Sequence, residues 1–225
     1  MASVVPQGKR ILIVTGHYGS GKTEFSVNYA LSLKKTCEKV FLVDLDIVNP
    51  YFRSNDARAL LEDAGICVIA PAYAGTNVDI PVLPPEIMRI FEEEDAKIIL
   101  DVGGDDDGAI ALGRYKKYFD ESGYELYLVV NTRRPLTSNA DEIIRMKEDI
   151  EIASRLTVTG LISDTNIAEE TTSFIVAEGY EILEDVSRKT GLPIKFVCAT
   201  EKAAEHLSPE ISQKLFPIKC RISKI

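Results

Sequence analysis

The chain is poor in the residues that build metal and redox centres. Of its 225 residues only two are His and four are Cys. Cys37, Cys67, Cys198 and Cys220 lie far apart, with no CxxC and no His/Cys cluster. That excludes a zinc or iron–sulfur site of the close-spaced kind. The four thiols read as reduced and mostly buried, as in a reducing cytoplasm. Positive charge is also short. Lys and Arg number 26 against 35 Asp and Glu, for a net charge of −9. A broad nucleic-acid-binding face and loose attachment to anionic lipid both need clustered cations, so neither is expected. No apolar run approaches the roughly 18 residues of a bilayer span, and Met1 to Arg10 lacks the apolar core of a signal peptide. A cytoplasmic protein without a stable membrane anchor is the expectation. Disorder is excluded by a hydrophobic content of 45%. A chain of this mass can bury roughly 70% of its unfolded surface, enough for one core without staples.

What the sequence does have is alternation. Short apolar runs end in polar or glycine residues and are followed by helix-like stretches. The runs are Ile11–Val14, Val40–Val43, Ile66–Ala70, Ile98–Leu100, Leu126–Val130, Val158–Ile162 and Ile194–Cys198. Between them, helical spacing covers Thr23–Lys35, Asp56–Ala64, a segment opened by Pro84-Pro85, Ala109–Phe119, Asn139–Arg155 and Thr171–Thr190. A last helix fits Ala203–Leu215, with a break near Ser208-Pro209. Continuous apolar strands are buried on both faces, which calls for a parallel sheet between helix layers. The reading is a single doubly wound α/β domain over 1–225, of about seven strands with helices on both faces. No long linker, repeat or low-complexity segment interrupts it. In such sheets ligands bind at the carboxyl ends of the strands.

The first strand ends in Gly16-His17-Tyr18-Gly19-Ser20-Gly21-Lys22-Thr23. This is GxxxxGK[ST] between a strand and a helix, a P-loop. Its glycines let successive N–H groups curl inward, and the following helix adds its positive end, so the loop cradles anions. Lys22 would lie along the β- and γ-phosphates, and Thr23 would ligate Mg²⁺. Asp101 ends the fourth strand in Ile-Ile-Leu-Asp-Val-Gly-Gly, a Walker B pattern whose carboxylate holds Mg²⁺ through water. Gly103 or Gly104 could offer a backbone N–H to the γ-phosphate. Asp44 and Asp46 follow the second strand and would project near the loop, placed to orient or deprotonate an attacking water. Asp105-Asp106-Asp107 reads as a solvated turn or helix cap.

The loop, Asp44-Leu-Asp46 and Asp101-Val-Gly-Gly, in this order, resemble the MinD/ParA/CobQ-type P-loop ATPases, within the class of signal-recognition GTPases and nitrogenase iron protein. The resemblance spans roughly Lys9 to Thr200. It implies that Asp46 orients the attacking water, that Asp44 lies near the Mg²⁺ water shell, and that Asn131 or Asn166 contacts the base. It also implies an ATP- and Mg²⁺-dependent hydrolase whose loops after Asp46 and Asp101 switch with nucleotide state and engage a protein partner. The sequence departs from the pattern at His17, where MinD and ParA carry a lysine that crosses a homodimer to the partner's phosphate. Arg53 or Arg114 could substitute. NKxD is missing, so ATP is expected over GTP. The C-terminal Phe216–Ile225 carries three cations and a proline, and reads as a short strand or tail and not a membrane helix. Two other readings stay open. In a small-molecule kinase or ATP-dependent ligase, Asp46 would be the base, and Arg53, Arg114, Arg133 and Arg134 would clamp a metabolite. The third reading is a nucleotide-binding module with negligible hydrolysis. Residues 71–81, after the third strand, could form a loop that senses nucleotide or partner. His206 reads as a surface residue.

Overall fold

The computed structural model describes residues 8–45, 55–70, 86–104 and 106–220, with side chains described at all of these except 55–57, 86 and 106–107. Eight parallel strands form one sheet in the order β3-β2-β4-β1-β5-β6-β7-β8. They are β1 (Ile11–Thr15), β2 (Val40–Leu45), β3 (Cys67–Ile69), β4 (Lys97–Val102), β5 (Tyr124–Val130), β6 (Gly160–Ser163), β7 (Ile194–Ala199) and β8 (Leu215–Pro217). The helices are α1 (Lys22–Leu33), α2 (Asn55–Asp63), α3 (Glu86–Glu92), α4 (Asp106–Gly113), α5 (Lys116–Ser122), α6 (Ala140–Ser154), α7 (Ser173–Thr190), α8 (Glu201–Ala204) and α9 (Pro209–Gln213).

Alternation along the strands sorts the core into two layers, because successive side chains point to opposite faces. In β1, Ile11 and Ile13 join one apolar cluster, which also takes residues of α3 to α9. Leu12 and Val14 join the other, which takes Phe25, Val27, Tyr29, Ala30 and Leu33 of α1 and Leu61 of α2. The sheet is thus covered on both faces, as its unbroken apolar strands require.

Three expectations need correction. Ala109–Phe119 is two helices, α4 and α5, parted at Arg114-Tyr115. Gly113 lies against the Ser154 carbonyl and the Arg155 guanidinium, which donates to the Gly113 carbonyl, so the chain turns there. The C-terminal stretch breaks at Ser208-Pro209 as expected, into α8 and α9, but α9 stops at Gln213 and Leu215 opens an eighth strand on β7. Thr200 and Ser208 each cap a helix start. The thiols are not mostly buried: Cys198 is buried, Cys37 half-buried, and Cys67 and Cys220 exposed, none of them in a disulfide. Arg53, residues 71–81 and Pro84-Pro85 lie outside the described residues. Among the described residues, no helix is long and apolar enough to cross a membrane. His206 is exposed, as expected.

Candidate functional site

The site grows from the turn between β1 and α1. The Ser20 N–H donates to the His17 carbonyl at 3.0 Å, closing a tight turn. Gly19 (φ +71°) and Gly21 (φ +93°) take the left-handed conformation that side chains resist. Gly21 caps α1, whose first residue is Lys22, and no side chain bonds that helix start. The amides of the first turn and the helix dipole therefore face one place. Lys22 is buried there. The Ser20 hydroxyl is buried without a hydrogen-bond partner among the described residues. His17 turns its Nδ1 onto the Tyr18 carbonyl at 3.0 Å, and Tyr18 is 70% exposed.

Strand parity brings the carboxylates to this turn. Asp44 and Asp101 are register partners on β2 and β4, and both are fully buried. Val43 and Leu45 beside Asp44, and Leu100 and Val102 beside Asp101, face the layer away from α1. Both aspartates consequently face the layer of α1. Contact confirms it for Asp101, whose Oδ1 lies 3.3 Å from Ser26 Oγ on that helix. Ser26 also bonds the Lys22 carbonyl at 2.8 Å. After β4 the chain folds onto the P-loop. Thr15 Oγ1 donates to the Gly103 carbonyl at 3.4 Å. A Cβ on Gly104 would strike the Gly16 carbonyl and come within 3.0 Å of the His17 nitrogen. Gly104 therefore has to be glycine for this approach. Asp46 lies outside the described residues, as does Asp105.

A third aspartate completes the ring. Asp164, just past β6, is buried, and its Oδ2 presses on the Gly21 Cα from beneath, where any Cβ would collide with it. Burial pushes its carboxyl well above the ordinary range; Glu24's charge adds to this, and the Asn166 amide opposes it. Asn131 and Asn166 come together, but on each other. Asn131 Nδ2 donates to the Asn166 carbonyl at 3.0 Å, and its Oδ1 accepts from the Arg133 and Asn166 nitrogens. Asn166 Nδ2 donates to the Asp164 carbonyl at 2.9 Å. The two amides thus clasp the loops after β5 and β6 beside the P-loop. Arg133 pairs with Glu178 of α7, and Arg134 reaches the Gly19 carbonyl.

Thr15 and Ser26 had no role in the sequence reading, Asp164 had none of its own, and Arg134 figured only as a clamp for a metabolite. Ser26 could have been found four residues after Lys22, on the same helical face. Asp164 had only its place at a strand end to mark it. A cavity of about 320 Å³ opens beside the loop, bounded by His17, Gly104, Leu136, Glu142, Arg145 and Met146 among others.

The donors fit a phosphate and a hard divalent cation. An amide-lined turn with a buried lysine suits phosphate, and a Thr23 hydroxyl with buried carboxylates suits Mg²⁺. No group of three or more His, Cys, Asp or Glu that could hold a metal occurs among the described residues.

A glycine turn between a parallel strand and a helix, with acidic strand ends gathered on that helix's face, defines the P-loop NTPase fold. No family model matches the sequence, and no curated protein matches it. Solved structures do share the fold. The chain is similar to the cell division protein FtsY of Thermotoga maritima, with a TM-score of 0.59 and 20% identity, over 88% of this chain and 64% of that one. It is similar to the signal recognition particle 54 kDa protein of Aeropyrum pernix K1 in complex with GDP (0.52, 22%, 85% and 41%). It is also similar to FlhF complexed with GTP and Mg²⁺ (0.51, 17%, 84% and 65%). The chain spans less than two thirds of each of these proteins. At this level of identity the likeness shows the fold.

Proposed function

We propose that this chain binds a purine nucleoside triphosphate with Mg²⁺ and hydrolyses it, and that nucleotide state alters the surface formed by the loops after β2 and β4. One observation carries the reading: Asp44 and Asp101 lie side by side on the α1 face, at the helix start that the P-loop and Lys22 form. In this reading the loop amides and Lys22 hold the phosphates. Thr23 and Asp101 hold Mg²⁺, directly and through water, with Asp44 at its water shell. Bound Mg²⁺ would neutralise charge that builds on the terminal phosphate. Gly103 and Gly104 offer N–H groups to that phosphate, and Asp46 orients the attacking water. The Asn131–Asn166 clasp sets the loops that flank the base. The proposed output is engagement of a protein partner, as in the MinD/ParA-type ATPases.

The missing NKxD supports ATP. The likeness to folds solved with GDP and with GTP and Mg²⁺ supports GTP. Phosphate release from Mg-ATP and Mg-GTP, measured side by side without a co-substrate, decides between them. Lys22→Ala should weaken binding of the preferred nucleotide about 10- to 100-fold, the range for hydrogen bonds to a charged group. Asp46→Asn should abolish release while leaving binding intact. Unchanged affinity in Lys22→Ala would overturn the P-loop assignment.

The cavity beside His17 and Gly104 favours a second reading, a small-molecule kinase or ligase whose acceptor occupies that space. Product formation that depends on an added metabolite would select it.

A further inference from the structure

Arg134 stands in the loop between β5 and α6, and its guanidinium lies on the P-loop. Nε donates to the Gly19 carbonyl at 3.1 Å. A Cβ built on Gly19 would sit 3.1–3.6 Å from Nε, Cζ and Nη2, so the guanidinium packs against the bare α-carbon of a left-handed glycine. Among the described residues only Nε is engaged, and the side chain is exposed, which leaves the four Nη hydrogens available. The backbone behind it is fixed. The Arg134 nitrogen donates to the Asn131 carbonyl at 3.1 Å, and Thr137 Oγ1 donates to the same carbonyl at 2.8 Å. Asn131 is in turn clasped to Asn166. The neighbouring Arg133 is already ion-paired with Glu178.

The P-loop itself carries one permanent cation, Lys22, because the position after its first glycine is His17. A nucleoside triphosphate brings several negative charges to a chain already at −9. We infer that Arg134 supplies, from within the same chain, the second permanent cation of this site, and that its free Nη groups bind the terminal phosphate of the nucleotide. A planar fork held at Nε presents two parallel N–H groups, the geometry that matches a phosphate. The inference rests on the reading of the P-loop as a triphosphate site.

The test is a set of affinities for ATP, ADP, GTP and GDP with Mg²⁺, for the wild type and for Arg134→Ala, Arg134→Gln and Arg134→Lys. Gln keeps a donor for the Gly19 carbonyl and removes the charge. Both Ala and Gln should weaken the preferred triphosphate about tenfold, the diphosphate about threefold or less, and Lys should restore part of the loss. The apo melting temperatures should match the wild type, since the side chain is exposed. Equal losses for triphosphate and diphosphate, or full rescue by Gln, would make Arg134 a latch for the loop and overturn the inference. Wild-type affinity in Arg134→Ala would overturn it too. If the wild type itself binds no nucleotide, the P-loop reading fails first and this inference falls with it.

Discussion

Asp164 sits beneath a glycine that has no room for a side chain, in a layer that also receives Glu24's charge. Burial there favours the protonated acid, so its folded-state pKa exceeds the roughly 3.9 of an unfolded aspartate. Between those two values the folded chain holds a proton that the unfolded chain has lost. Stability therefore falls as pH rises through that window, and stays lower above it. Asp164→Asn should melt higher than the wild type at pH 8, with the difference vanishing near pH 3; urea melts across that range would show it. A gain that persists unchanged at pH 3 would reject the burial argument. Some of this residue chemistry was open to pattern reading and some was not. Lys22, Thr23, Asp44 and Asp101 announce themselves because a loop motif and strand ends fix where they must be. Asp164 and Arg134 do not, because their roles come from loops that meet the P-loop only after β5 and β6 take their places in the sheet.

At the scale of elements, α1 is held less by its own propensity than by a ring cluster. Phe25 is fully buried and lies 5.3 Å from Tyr29, 5.7 Å from Phe196 of β7 and 5.3 Å from Phe216 of β8, centroid to centroid. Phe25→Ala should cost about 3–5 kcal/mol in denaturant unfolding, the usual price of an aromatic deletion in a core. Because Phe25 lies in the first turns of the P-loop helix, the same variant should also weaken nucleotide binding. A cost under about 1 kcal/mol would mean that the cluster is not a support for α1. The long apolar runs made β1, β2, β4 and β5 plain in the sequence, and periodicity made α6 and α7 plain. β8 was legible only as a short strand or tail from Phe216, because Leu215-Phe216-Pro217 is too short to show a period and its strand character comes from pairing with β7. The break between α4 and α5 was hidden because it answers to Arg155, far along the chain.

The whole molecule sets a charge problem that its ligand would solve. An acidic chain buries Asp44 and Asp101 side by side on neighbouring strands of one sheet. A saturating Mg-nucleotide bound only to the folded state adds RT ln(1 + [L]/Kd), about 2.7 kcal/mol at a hundredfold excess over Kd. For a chain of this length that is a rise of about 5–10 °C in melting temperature. Nucleotide without Mg²⁺ should give less, and Lys22→Ala at the same concentration should give about half of the rise or less. Equal rises with and without the cation would remove Mg²⁺ from the site.

The sheet order also has a consequence for how the chain acquires its shape. β4 lies between β1 and β2, so the first two strands made are never neighbours. The contact from Thr15 to Gly103 closes a loop of 88 residues. Such distant pairings are slow to find. During synthesis, β1 must wait with both edges bare, and β2 with β3 as its one neighbour, until β4 emerges. The two carboxylates therefore become neighbours in the same event that seals the sheet, and competence to bind would serve as a signal that the first half of the fold is complete.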